Sequence, residues 1–379
     1  MNNISFKHRI STYTGYIILG LAFGLWAMLV PFVKDSLSVN KAELGLLLLQ
    51  IAFGSVISMF FTGWTAAKIG CRKTVILSSS LLIICLLVLS ISGNIFITAV
   101  FMFLFGAGIG MLDVTLNIQG AIVEDGMKKH LMAGFHSMYS FGVFFGILIV
   151  TYLLKHFTHI TAVFIITGFI FILLVLSIPA LLNYGGEVPQ KLFIKPARIL
   201  FILGIICFTA FAAEGVILDW SALFMREVRK IEPQYAGYSF SLFYITMGIC
   251  RLFGDKIANR FSIKNILFAS SMTAVTGILI MLYIPHSWAS FIGFTLAGAG
   301  LANIVPVTIS ASGIYKGNMP LSIAVSAVST IGYFGTLFGP AVMGFVSEMT
   351  NLTTAFTLIA CLIFLITFLQ ILNLVHLLV

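Results

Sequence analysis

The amino-acid sequence predicts an all-α integral membrane protein: twelve transmembrane helices in two pseudo-symmetric six-helix halves. Three observations carry this. Hydrophobic residues make up 60% of the 379 and charged residues only 9%, with a mean hydropathy of +1.11, whereas a soluble domain carries about 25% charged residues. Twelve apolar stretches each approach the length of about 20 residues that a bilayer requires. Several sequence signals in the first half also return in the second at a nearly constant offset.

The first six spans are expected at about 13–33, 44–67, 74–92, 95–122, 132–154 and 160–182. The second six are expected at about 199–224, 234–257, 265–284, 288–311, 321–346 and 353–376. The head MNNISFKHRIST is short and basic, and no small-residue cleavage site follows the apolar run behind it. It reads as the approach to a first spanning helix and not as a removable signal. The longest connection, Asn183 to Arg198, holds Gly185, Gly186, Pro189 and Pro196. It divides the chain into an N-terminal half (1–183), a linker (184–198) and a C-terminal half (199–379).

Lys and Arg set the expected orientation. With the N-terminus inside, fifteen of them fall on the cytoplasmic side, from Lys7 and Arg9 to Lys191, Lys195 and Lys316. Six (Lys34, Lys41, Lys155, Arg226, Arg229, Lys230) fall outside. This is a positive-inside bias that puts both termini in the cytoplasm. The net charge of +9 is therefore a matter of topology, and nucleic acid is not an expected partner.

Duplication of the halves shows in three places. GAGIG at Gly106 returns as GAGLA at Gly298, and the basic turn at Lys68 returns at Arg260, both 192 residues on. YSFGVFFG at Tyr139 returns as GYFGTLFG at Gly332, 193 residues on. Duplicated six-helix halves are an arrangement used for alternating access.

The fourth span contains GAGIGMLDVTLNIQGAIVE, Gly106 to Glu124. At about 100° per residue, Gly106, Gly110, Asp113, Asn117, Gly120 and Glu124 fall within roughly 80° of one another. Leu104, Met111 and Ile122 fall opposite. An Asp at the centre of a spanning helix costs about 2.5–3.5 kcal/mol on insertion scales, so it is expected to face a partner or a watery cavity. Asp113 reads either as a transport-pathway carboxylate, which we favour, or as a polar helix–helix contact.

Other polar residues carry paired readings. Glu214 lies near the middle of the seventh span, and Asp219 lies about 140° further round that helix. One helical face presents both only if the helix breaks. Glu214 is a second coupling candidate, and Asp219 an outer gate or helix cap. His136 opens the fifth span as a proton relay or a satisfied interfacial histidine. Arg251 either pairs with Asp255 four residues on, which we favour, or closes a gate with Glu124. Asn117, Asn303, Tyr139, Tyr244, Trp26 and Trp220 are candidate substrate-lining groups, with packing as the alternative for the aromatic ones. The cysteines Cys71, Cys85, Cys207, Cys250 and Cys361 have no disulfide or metal-ligand spacing, and no phosphate loop or nucleophile–base constellation appears. No enzymatic role and no cofactor are expected, the proton aside.

The turn GWTAAKIGCRK carries Gly63, Lys68, Gly70, Arg72 and Lys73, and DKIANRFSIK carries Arg260 and Lys264. They resemble the loop signature of the major facilitator superfamily, in which such basic residues gate the cytoplasmic side. Ala67 and Asn259 stand where that signature has an acid, and the fourth span lacks the Lys or Arg that many proton antiporters of the superfamily carry there. Asp113-Val-x-x-Asn117-x-Gln119-Gly120, Phe135-His136-Ser137 and Glu214-Gly215…Asp219-Trp220-Ser221 further resemble a bacterial branch related to the fucose–proton symporters. There a fourth-helix acid takes part in proton coupling, and Asp113 occupies the similar place. The companion acid of the first helix is missing, since Gly15 to Val33 contains none.

The resemblance implies a major facilitator fold with a cavity between the halves, in a bacterial cytoplasmic membrane. It implies proton-coupled import of a small polar solute by a monomer whose partners are that solute and the bilayer. Coupling requires an acid that both proton and substrate can reach; Asp113 is the first choice and Glu214 the second. Efflux of amphipathic compounds, or a non-transporting sensor or scaffold, are the competing readings.

Overall fold

The computed structural model describes residues 4–39, 41–186, 197–231 and 238–371, all helical apart from connections. Most of the expected linker, with Pro189, Lys191, Lys195 and Pro196, lies outside the described residues, as do the first residues of the expected eighth span and the last of the twelfth. In chain order the helices are α1 (Phe6–Leu37), α2 (Lys41–Ile69), α3 (Cys71–Ile91), α4 (Ile95–Met127), α5 (Met132–Leu153) and α6 (His159–Ser177). After them come α7 (Arg198–Glu227), α8 (Tyr238–Ala258), α9 (Ile263–Tyr283), α10a (Ser287–Leu301), α10b (Ile304–Ile314), α11 (Leu321–Met349) and α12 (Leu352–Ile371). The two pieces α10a and α10b together form one apolar span, Ser287–Ile314.

Among the described residues, ten spans are long and apolar enough to cross a membrane. The other two expected spans are α8, which carries Arg251, Asp255 and Lys256, and α12, whose apolar described part is Leu352–Phe368. The span that contains α6 is the most apolar of the ten, and its exposed side includes Phe164, Phe169, Phe171 and Leu176. Such a surface is stable only against lipid.

Helix ends follow local chemistry. The Asn94 side chain accepts from the N–H groups of Phe96 and Ile97 to start α4, and Thr158 and Ser262 cap α6 and α9 in the same way. Lys128 closes α4 in the left-handed region at φ 50. A single residue, Gly70, connects α2 to α3 at φ 87, with its α-carbon pressed on the Asn183 backbone. Only glycine meets both demands without strain.

The chain divides into two compact units. One comprises Met1–Lys129, Met138–Ile194 and Asn318–Ser326; the other comprises His130–Ser137, Lys195–Gly317 and Ala327–Val379. Within the first, a β-carbon on Gly106 would collide with the Ile51 carbonyl. Within the second, one on Gly298 would collide with the Phe243 carbonyl. Those two carbonyls are themselves 192 residues apart, the offset at which GAGIG returns as GAGLA. Gly142 against the Ile17 carbonyl and Gly335 against the Phe208 carbonyl repeat the correspondence. Each unit thus uses its glycines to bring the same pair of helices to backbone contact, as small residues do in membrane bundles.

Candidate functional site

Polar side chains inside the spans gather in two clusters, one in each unit. In the first, α4 is buried continuously from Leu112 to Ala121. Asp113 and Asn117 lie one helical turn apart, and Asn117 meets α1. The Asn117 amide nitrogen donates to Asp113 Oδ2 at 3.0 Å, and its Oδ1 accepts from the Tyr16 hydroxyl of α1 at 2.7 Å. All three side chains are buried. Two turns nearer the helix N-terminus, Gly106 and Gly110 pack on α2, and the Ser55 hydroxyl donates to the Gly106 carbonyl. The small, polar face expected of α4 therefore serves two neighbours: glycines against α2, and the Asn117 amide, which also holds Asp113, against α1.

The second cluster is built on α7 and α8. Tyr244 donates its hydroxyl to Glu214 Oε1 at 2.9 Å, and Arg251 Nη2 lies 3.8 Å from Glu214 Oε2. Arg251 is 2% exposed. A buried guanidinium costs several kcal/mol unless it is paired and hydrogen-bonded. Its Nε–H goes to the Ala302 carbonyl at 2.9 Å. His136 at the start of α5 belongs to this unit and feels the Arg251 charge. The neighbouring Ser137 hydroxyl donates to the Gly248 carbonyl of α8.

Arg251 and Asp255 each have partners beyond the i,i+4 reading. The Arg251 guanidinium meets α7 and the break in the tenth span, while the Asp255 carboxylate receives the Ala133 and Gly134 N–H groups at 3.0 and 3.1 Å. Asp255 therefore caps the first turn of α5, where a carboxylate is favoured by the helix dipole. Helix α7 runs unbroken, with Glu214 half-buried and Asp219 exposed.

The remaining candidates have the following surroundings. Trp26 is buried against Phe105 at 5.4 Å, and Tyr139 meets Phe23 edge-on. Trp220 lies over Gly344 of α11. Glu124 sits in the last turn of α4, where its carbonyl accepts the Lys129 N–H. Lys68 lies over the Trp64 ring at 4.5 Å, and Arg260 is exposed. Arg72 reaches the end of α6 and its following turn: Nε donates to the Leu181 carbonyl and Nη2 to the Pro179 carbonyl, both at 3.1 Å. Its guanidinium satisfies carbonyls that the ending helix leaves open. Gln119 fastens the same segment, accepting from the Leu182 N–H and donating to Thr12 of α1.

Two participants escaped the sequence reading. Tyr16 was visible only as one hydroxyl in an apolar run, and its contact with Asn117 joins residues 101 apart. The break at Ala302 and Asn303 had a signal in Pro306, four residues beyond Ala302. Proline has no N–H for the i−4 carbonyl, which weakens a helix at that point.

Duplicated helical halves with a carboxylate inside a span of each define a class: integral membrane carriers, not enzymes. The chain belongs to the Major Facilitator Superfamily, whose model matches residues 12–269 and 200–377. An uncharacterized MFS-type transporter of Yersinia pestis is 38% identical over 359 residues, covering 94% of this chain and 93% of that one. Among solved structures, the E. coli transporter FucP in its outward conformation superposes with a TM-score of 0.74 at 19% identity, covering 96% of this chain and 97% of its own. The human organic anion transporter MFSD10 gives a TM-score of 0.80 at 14% identity, covering 96% and 99%. One fold thus accommodates a fucose:proton symporter and an organic anion transporter, so substrate class is a property of the site.

Proposed function

We propose that this transporter imports a small polar solute together with a proton, by alternating access, as a monomer in a bacterial cytoplasmic membrane with both termini inside. The observation that carries the reading is the buried chain Tyr16–Asn117–Asp113. An asparagine has both donor and acceptor. Asn117 donates to the carboxylate form of Asp113, and its oxygen, already taking the Tyr16 hydroxyl, keeps a lone pair for the protonated form. Both protonation states can therefore be satisfied in one place, which a coupling acid needs. Asp113 is the first coupling acid in this proposal, Glu214 the second and His136 their accessory.

A polar solute is favoured over an amphipathic one by where the aromatic groups go. Trp26 is committed to Phe105, while Asn117, Glu214, Tyr244 and Asn303 concentrate hydrogen-bonding capacity inside the spans. The 38% identical transporter from a bacterium supports the location, and the likeness to FucP, a fucose:proton symporter, supports proton symport.

The test begins with thermal shifts of purified protein over sugars, nucleosides, vitamins, amino acids and organic acids, because a ligand of the folded state raises its apparent stability. The stabilising compound is then offered to proteoliposomes with a pH gradient. A polar solute accumulating against its gradient when the outside is acidic supports the proposal. Extrusion of an amphipathic compound would carry the efflux reading. Absence of any flux would carry the sensor or scaffold reading.

A further inference from the structure

We propose that Arg251 is a positioning residue through which the charge on Glu214 sets the break in the tenth span. Because Pro306 has no N–H, the Ala302 carbonyl loses its intrahelical partner. Ala302 is fully buried, so water does not replace that partner. Arg251 does, through Nε at 2.9 Å, while its Nη2 faces Glu214 at 3.8 Å. One guanidinium therefore joins an ionisable group on α7 to the point where α10a ends and α10b begins. Asn303, at φ −104 and ψ −3, is the residue that departs from the helix.

The duplicated unit supplies an internal control. Moving back 192 residues, Arg251 becomes Met59, Pro306 becomes Val114, Ala302 becomes Gly110 and Glu214 becomes Ala22. The corresponding helix, α4, runs unbroken for 33 residues. Its packing is otherwise equivalent, with Gly106 on Ile51 where the second unit has Gly298 on Phe243. Arginine, proline and glutamate are missing together in the unit whose helix is continuous.

A second position for the guanidinium is available. Asn303 Oδ1 is buried without a hydrogen-bond partner, against Gly254, three residues along α8 from Arg251. When Glu214 loses its charge, the guanidinium loses the ion pair that draws it toward α7, and Asn303 Oδ1, a buried acceptor, is adjacent to the carbonyl it already holds. The shift from α7 toward Asn303 reshapes the break. The titratable and charged groups described around Glu214 are Tyr244 and Arg251 on α8 and, through Arg251, His136 on α5. Asp255, one turn beyond Arg251, accepts the Ala133 and Gly134 N–H groups at the α5 N-terminus.

The experiment is hydrogen–deuterium exchange of the full chain in nanodiscs, following the peptide around Asn303–Val307, with the α4 peptide around Gly110–Thr115 as control. Loss of the Arg251–Glu214 ion pair predicts about tenfold faster exchange there in Glu214→Gln, with the control peptide unchanged. Pro306→Ala restores an N–H for Ala302 and should slow exchange at the break. It should also abolish the response to Glu214→Gln. Arg251→Lys, which cannot span both acceptors, should lose the response as well. If Glu214→Gln exchanges like the parent, or if its effect persists in the Pro306→Ala background, the proposal is overturned, whatever the folding of the Arg251 variant. The readout needs no substrate, so failure of proton-driven import leaves it standing, and its own failure leaves the import reading standing.

Discussion

Replacing Asp113 with Asn removes one titratable group while nearly preserving its shape. The structural cost is small, because the new amide can accept from the Asn117 amide nitrogen as the carboxylate does at 3.0 Å. A charge-assisted bond becomes a neutral one, a loss of about 1 kcal/mol, which leaves the protein folded. The functional cost is complete. If one proton on Asp113 accompanies each solute, a gradient of one pH unit drives accumulation up to about tenfold, since a tenfold ratio and one pH unit are each about 1.4 kcal/mol. The Asn variant should equilibrate at a ratio near one. Exchange of labelled for unlabelled solute should persist, because exchange does not require the proton to leave. The assay is uptake into proteoliposomes at fixed outside pH with stepped inside pH, beside counterflow without a gradient. An Asn variant that still accumulates solute in proportion to the pH step would refute the assignment and leave Asp113 as a helix–helix contact.

Three further outcomes are expected. Asn117→Ala strips a partner from both Tyr16 and Asp113 and should weaken binding of the stabilising polar ligand at least about tenfold, as should Glu214→Gln, whereas Trp26→Ala should do less. Loss of binding in the Trp variant alone, measured by titrating each variant, would transfer support to efflux of amphipathic compounds. Arg229→Ala removes hydrogen bonds to the Ser290 hydroxyl and the Met281 and Leu282 carbonyls that tie the end of α7 to α9 and α10a. It should lower stability by about 2–3 kcal/mol, read as a lower melting temperature in detergent; an unchanged melting temperature would show that these bonds are replaced by water. Gly298→Ala forces a methyl group into the Phe243 carbonyl and should abolish monodisperse protein on size exclusion, while Gly168→Ala, with nothing near its added carbon, should behave as the parent.

The number and order of spans, the duplication and the family were legible in the chain itself. Hydropathy is a property of local composition, and bilayer thickness converts it directly into helix length. The match between Gly106 and Gly298 was equally readable, because a backbone contact leaves a glycine at the same register in both copies. Asp113 and Glu214 stood out for the same reason: a carboxylate in an apolar run is conspicuous wherever its helix packs.

Which groups those acids would meet was decided only by tertiary structure. Tyr16 reaches Asn117 across 101 residues and Arg72 reaches Leu181 across 109, and helical spacing contains no information about such pairs. For Arg251, helical spacing pointed to Asp255 alone, and it could not show that the fold also offers Asp255 the N–H groups of α5 and Arg251 a glutamate and a proline-orphaned carbonyl. Sequence determines which groups must be satisfied in a low-dielectric interior; the packing of distant helices determines by whom.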